Sequence, residues 1–306
     1  MAPKFEPSRD IPDLSGKIVL ITGGNSGLGY ETAKMMLLKG ATVYLAARSP
    51  SNGQTAIAEL ETATGKRAEL LELNLADLKS VRRAAETFLA KESRLDILFN
   101  NGGVMTPPMD ELTAQGYDLQ FGTNVLGHFF LTELLLPALT ASHAHSSVPA
   151  RIIHTSSSGH TLCPKRDIFF DAVKDSPARD ALKKKWGNTC GPWNFYGASK
   201  AGNIWLANYY ARSDVLVSCS LHPGLIRSGL QRNSGIFIRC MARHVFSPAN
   251  VGAYTQLWAA TTSSAEEING KYFVPVGIQK APGGPLSDKE LEKEVIEYLK
   301  EAVKGF

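Results

Sequence analysis

Cysteine, long apolar runs and surplus charge are all scarce in this chain of 306 residues. Its four cysteines, Cys163, Cys190, Cys219 and Cys240, include no C-x-x-C pair, and no histidine cluster stands beside them at ligand spacing, so no metal site is expected. So sparse a set suits free thiols in a reducing compartment, with a Cys163–Cys190 bridge left open. A net charge of +4 is too small to imply a polyanionic partner, and nucleic acid is not expected to bind. The one basic run, Lys183-Lys184-Lys185, reads as a solvated helix face. No stretch approaches the ~20 apolar residues that span a bilayer. The most apolar helix candidate, Phe129 to Leu139, is interrupted by Thr132, Glu133 and Pro137. MAPKFEPSRDIPDLSG at the N-terminus has no apolar h-region and is not read as a signal peptide. The expectation is a cytoplasmic protein without an integral membrane segment, though peripheral contact with membranes stays open.

What is present is ordinary for a globular chain: 43% hydrophobic and 20% charged residues. Apolar, β-branched runs alternate with helical patterns from Lys17 onward. KIVLIT, ATVYLAA, AELLELNL, LDILFNN, RIIHTSS and VLVSCSLHPG read as six strands, and Lys271 to Val276 as a last one. Between them, helices are expected at Tyr30–Lys39, Gln54–Thr64, Lys79–Lys91, Thr113–Phe121, Gly127–Leu139, Tyr196–Ala211, Pro248–Ala260 and Asp288–Val303. Such alternation predicts an α/β fold, one doubly wound parallel sheet of about seven strands with helices on both faces. Residues 1–14 read as a loose arm and 15–306 as a single domain. Two irregular stretches interrupt it, an insertion at 159–195 and a second at 225–247; segments of that length are usually functional or mobile.

Thr22 to Gly29, TGGNSGLG, joins the first strand to the first long helix. There Gly23 permits a sharp turn, Gly27 lets the backbone approach a pyrophosphate, and Gly29 lets helix and strand pack closely. The helix N-terminus offers unpaired N–H groups and a positive dipole end to phosphates. A turn of this kind at the first strand–helix junction predicts nucleotide binding.

That turn, NNGG at Asn100–Gly103 and Tyr-x-x-x-Lys at Tyr196–Lys200 together resemble the short-chain dehydrogenase/reductase family from Lys17 to about Val276. The resemblance implies a Rossmann-type domain binding a nicotinamide dinucleotide. It places Gly23, Asn25, Ser26, Gly27, Leu28, Gly29, Asn101, Gly102, Tyr196, Lys200, Pro223 and Gly224 around the cofactor, with Ser228 where the family has Thr. Asn74 and Leu75 fall after strand three, where the family usually has an Asp beside the adenine. Strand two ends Ala46-Ala47-Arg48-Ser49, with no acid for a ribose 2′-OH. Arg48 and Ser49 suit a 2′-phosphate, so NADP(H) is expected over NAD(H), which stays possible.

Four apart on one helix, Tyr196 and Lys200 share a face. A free tyrosine titrates near ~10, and a neighbouring ammonium is expected to lower that value. In the family Tyr196 is the proton-transfer group, Ser157 orients the substrate oxygen, and Asn124 holds a water chain behind the lysine. Ser158 competes with Ser157 for its role. His128, His154, His160 and His222 are read as structural.

The span from Ser157 to Tyr196, with Phe169-Phe170-Asp171 and Trp193, resembles the family's retinol-dehydrogenase-like branch. INGKYFVPVG is similar to soluble microbial members, including reductases of natural-product pathways. Ile236, Phe237, Ile238, Met241, Val245 and Phe246 suit an apolar lid over a lipophilic substrate, an amphipathic helix on the core, or a membrane-surface helix. The leading expectation is NADPH-dependent reduction of a ketone or aldehyde on a lipophilic small molecule, by a homodimer or homotetramer. An oxidative alcohol dehydrogenase and a catalytically silent dinucleotide sensor or scaffold are the alternatives.

Overall fold

The computed structural model describes residues 5–227, 229 and 245–306. Its centre is β1 (Ile18–Thr22), buried at every position. Ile18 and Leu20 point into one core and Val19 and Ile21 into the other, the period-two alternation of a strand covered on both faces. Around it lie β2 (Thr42–Ala47), β3 (Glu69–Glu72), β4 (Ile97–Asn100), β5 (Ala150–Thr155), β6 (Leu216–Leu221), β7 (Tyr272–Val274) and β8 (Ile278–Gln279). The order is β3-β2-β1-β4-β5-β6-β7-β8. The first seven strands are parallel, and β8 adds an antiparallel edge that the sequence reading missed because it is two residues long.

One core packs α4 (Leu78–Leu89), α6 (Gly127–Ser146), α8 (Pro177–Tyr210) and the C-terminal α12 (Lys289–Ala302) on the sheet. The other packs α2 (Gly27–Leu38), α3 (Pro50–Thr64) and α10 (Tyr254–Thr261). The predicted doubly wound α/β architecture is therefore present. Leu119–Ser146 is long and apolar enough to cross a membrane. Phe129, Leu131, Leu135 and Leu139 of this stretch are fully buried in the first core, which accounts for its composition.

Three expectations need correction. Residues 5–14 are not a loose arm: α1 (Pro7–Asp10) is a helical turn, Ile11 and Leu14 are buried, and Phe5 meets Tyr254 edge-on. The helix expected over Thr113–Phe121 is only α5 (Leu119–Phe121), because Leu112 bridges Asp118 around a Gly116 turn at φ +74°. The 159–195 insertion is mostly helical: a 3₁₀ turn at Ser158–Leu162, α7 (Arg166–Val173), then α8 starting at Pro177. Gly187, Gly191 and Pro192 masked it, and Gly187 does break the helical dihedrals at φ 64°. Tertiary contacts override the breakers: Arg179 bonds Asp118 at 2.9 Å with both side chains buried, bonds Met109 O at 2.7 Å, and stacks on Phe195. Cys163, Cys190 and Cys219 are free thiols, so no Cys163–Cys190 bridge forms.

Strand order reverses between β1 and β4, and ligands of open α/β sheets sit beyond the strand ends at such a switch.

Candidate active site

A cavity of about 570 Å³ opens there. Gly23, Asn25, Ser26, Gly27 and Leu28 form one wall. Gly23 has φ +64° and Gly27 φ +55°, left-handed values that a side chain would resist. Gly29 lies behind them, where an added Cβ would overlap Gly23 O and stand 2.8 Å from Asn101 Nδ2. Ser26, the N-cap of α2, makes no side-chain cap bond, so the helix's first amides stay open to a ligand. Asn101 and Gly102 stand opposite. Their amides donate to Thr22 Oγ1 at 2.9 and 2.8 Å, and Asn101 Nδ2 donates to Thr22 O at 2.9 Å. A cradle of open amides and side-chain-free backbone fits a dinucleotide pyrophosphate.

The Thr22 hydroxyl is the hub of this wall, a role the sequence reading did not give it. It lies 2.8 Å from His128 Nε2, and His128 Nδ1 lies 2.9 Å from Asn124 O. A carbonyl only accepts, so Nδ1 carries the proton and Nε2 accepts from Thr22. Burial holds this imidazole neutral, pushing its pKa down to about 4. His128 thus joins the phosphate turn to Asn124, which sits in a π-helical turn, Gly122–Leu126.

Asn124 is fully buried, does not line the cavity, and clamps the loop after β4 that does. Its Oδ1 accepts from Val104 N at 2.9 Å, and its Nδ2 donates to Val104 O and Ser199 Oγ, each at 3.0 Å. Ser157, Tyr196 and Lys200 line the floor. Ser157 stands beside Tyr196 and accepts from Gly159 N at 3.1 Å, whereas the neighbouring Ser158 is exposed on the rim. Lys200 Nζ donates to Thr155 O at 2.9 Å and stands 5.7 Å from the Tyr196 ring centre. Burial dominates both groups. It pushes the Tyr196 phenol up to about 12, against the smaller lowering effect of the Ser157 hydroxyl, and the Lys200 ammonium down to about 8. The expected lowering of the phenol by its lysine is therefore corrected: in this arrangement Tyr196 is a neutral acid with a proton to give.

Pro223 and Gly224 close the far end, Gly224 at φ +97° beside Pro275. Ser228 and most of the expected lid lie outside the described residues, but Phe246 lines the cavity. Arg48 is exposed just past the end of β2. Ser49 caps α3, accepting from Asn52 N at 3.3 Å. Asn74 Oδ1 accepts from Ala76 N at 3.2 Å, and Leu75 is buried under Gly102. Arg48, Ser49, Asn74 and Leu75 lie outside the cavity lining. Val104, Met105, Thr161, Leu162 and Leu225 complete the walls. Thr161, Leu162 and Leu225 fall in the two irregular stretches singled out at 159–195 and 225–247, whereas Val104 and Met105 carry no motif and nothing in the sequence marked them.

A family model described as short chain dehydrogenase matches residues 17–164. A short-chain dehydrogenase/reductase of Armillaria gallica is 49% identical over 92% of this chain and 90% of its own length. Mouse retinol dehydrogenase 12 is 36% identical over 85% of this chain and 78% of its own. Among solved structures, the Pseudomonas aeruginosa RhlG/NADP active-site complex shares the fold with a TM-score of 0.66 at 22% identity, covering 87% of this chain and 96% of that one. The chain belongs to the short-chain dehydrogenase/reductase family. Within it the relatives place the chain on the retinol-dehydrogenase-like branch, as an NAD(P)-dependent oxidoreductase interconverting CH–OH and C=O.

Proposed function

We propose that this enzyme uses NADPH to reduce a ketone or aldehyde carried on a lipophilic small molecule, with Tyr196 as proton donor. The observation that carries the reading is the buried, neutral Tyr196 phenol on the cavity floor beside Ser157. A nicotinamide dinucleotide, when bound, supplies the hydride. Ser157 and Tyr196 hold the substrate oxygen by its lone pairs, and the Tyr196 O–H passes its proton to that oxygen as negative charge develops. Lys200, buried behind the phenol, carries the positive charge that stabilises the resulting phenolate. Asn124 and His128 act at one remove by fixing Val104 and the phosphate turn. Val104, Met105, Leu162 and Phe246 make the chamber apolar, which suits a lipophilic substrate.

For the coenzyme, Ala47 leaves β2 without the acid that would bind a ribose 2′-OH, and the exposed Arg48 guanidinium after it suits a 2′-phosphate. The test is oxidation of NADPH and NADH against a panel of aldehydes, ketones and quinones, for wild type and Arg48→Ala. Faster turnover with NADPH, narrowed about tenfold or more by the substitution, supports the reading. A preference untouched by Arg48→Ala removes the coenzyme argument. Silence across the panel despite NADPH binding points to the sensor reading instead.

A further inference from the structure

Three of the four tryptophans are used by the core: Trp205 is fully buried in the first cluster, Trp258 packs on the second, and Trp186 packs on a small third one. Trp193 belongs to none of them. It is half-buried and lines the cavity, and its one ring contact among the described residues is Tyr196, edge-on at 6.0 Å and 87°. Its indole N–H has no hydrogen-bond partner there either. A large aromatic surface that packs into no core cluster among the described residues, beside a reacting group, is surface that suits a ligand.

The backbone that presents Trp193 is braced. Gln120, almost fully buried, donates from Nε2 to Pro192 O at 2.9 Å and accepts from Thr106 N at 2.9 Å. Met109 packs against Gly191, where a side chain would collide with its sulfur. Three residues ahead of Tyr196 on α8, Trp193 faces the same side as the phenol. The helix backbone that carries the indole is therefore braced at positions 191 and 192 by Met109 and Gln120.

We infer that Trp193 is a specificity-determining wall, and that the substrate class is a flat aromatic or conjugated ring system carrying the carbonyl. This rests on the reductase reading of the same cavity. A rigid indole rewards a planar, polarisable partner beyond the area it buries, whereas a puckered saturated ring of equal size gains only the area.

The experiment is a calorimetric binding comparison on NADP⁺-loaded protein, with 2-acetylnaphthalene and its fully saturated decalin analogue as probes. Wild type, Trp193→Phe and Trp193→Ala are compared, with melting curves to establish that each is folded. The expected result is aryl binding about tenfold tighter than saturated binding in wild type. Trp193→Phe retains most of that preference, and Trp193→Ala abolishes it while weakening the saturated probe much less. Equal affinities in wild type, a preference that survives Trp193→Ala, or no binding of either probe overturns the inference. Because binding is read without turnover, a failure here leaves the Tyr196 reduction chemistry to be judged by its own assay.

Discussion

Lys200 Nζ donates to the main-chain oxygen of Thr155 at 2.9 Å, at the C-terminal end of β5, and forms no salt bridge among the described residues. Burial away from water lowers its pKa to about 8, in spite of the carbonyl that accepts from the ammonium. The charged form is present below that value and lost above it. Turnover in the reducing direction is therefore expected to fall as pH rises through about 8, well before the phenol near 12 ionises. A kcat profile with that break supports the assignment; one that stays flat far above it contradicts it.

Gly29 and Gly65 separate dinucleotide binding from stability. A methyl at Gly29 meets Gly23 O and Asn101 Nδ2, so Gly29→Ala displaces the phosphate turn. Gly65 ends α3 at φ +69° with open space around it. Fluorescence titration with NADPH is expected to show affinity weakened at least about tenfold for Gly29→Ala, from overpacking worth ~1–3 kcal/mol. Gly65→Ala lowers the melting temperature through left-handed strain of about 1 kcal/mol and leaves NADPH affinity alone.

Arg179 and Asp118 pin the insertion to the loop after β4. Both side chains are buried, so removing one leaves the other's charge without its counter-ion. Asp118→Ala also strips the acceptor of the Gln120 and Phe121 amides. Chemical denaturation is expected to show a loss of ~3–5 kcal/mol. A loss below about 0.5 kcal/mol, the range of an ordinary surface change, would refute the pinning role.

Three histidines are held neutral by burial. The folded pKa of His128 and of His222 is lowered to about 4, and that of His154 to about 3. Unfolded histidines take up a proton near ~6.5, so below that pH the unfolded state binds more protons and stability declines. The stabilisation is complete above about 6.5 and is lost as pH falls toward 4. Melting temperatures measured from neutral pH down to about 5 should drop, and His154→Gln should flatten the slope. A pH-independent melting temperature for wild type over that window contradicts the assignment.

The centre of the sheet was legible because β1, β4 and β6 are runs of residues buried on both faces, as the split of Ile18 and Leu20 from Val19 and Ile21 shows. Motif residues with a backbone reason, such as Gly23 and Gly29, could be placed in advance. Long-range partners could not. Nothing in TGGNSGLG says that Thr22 bonds His128, 106 residues away, or that Gln120 braces Pro192 across 72. The helical insertion was hidden by Gly187, Gly191 and Pro192, whose local preferences are outweighed by the Arg179 and Phe169 contacts. The phenol's pKa was misjudged for a related reason: sequence gives the lysine's spacing but not the depth of burial.

The most direct test of the account is Tyr196→Phe, assayed for NADPH-dependent carbonyl reduction with NADPH affinity and melting temperature measured on the same protein. The phenol's ring is kept and only the proton donor is lost. Turnover should fall by about 10²–10⁴ while dinucleotide binding and fold are retained. Turnover within about threefold of wild type in a folded, NADPH-binding variant would contradict the assignment of Tyr196 as the proton donor.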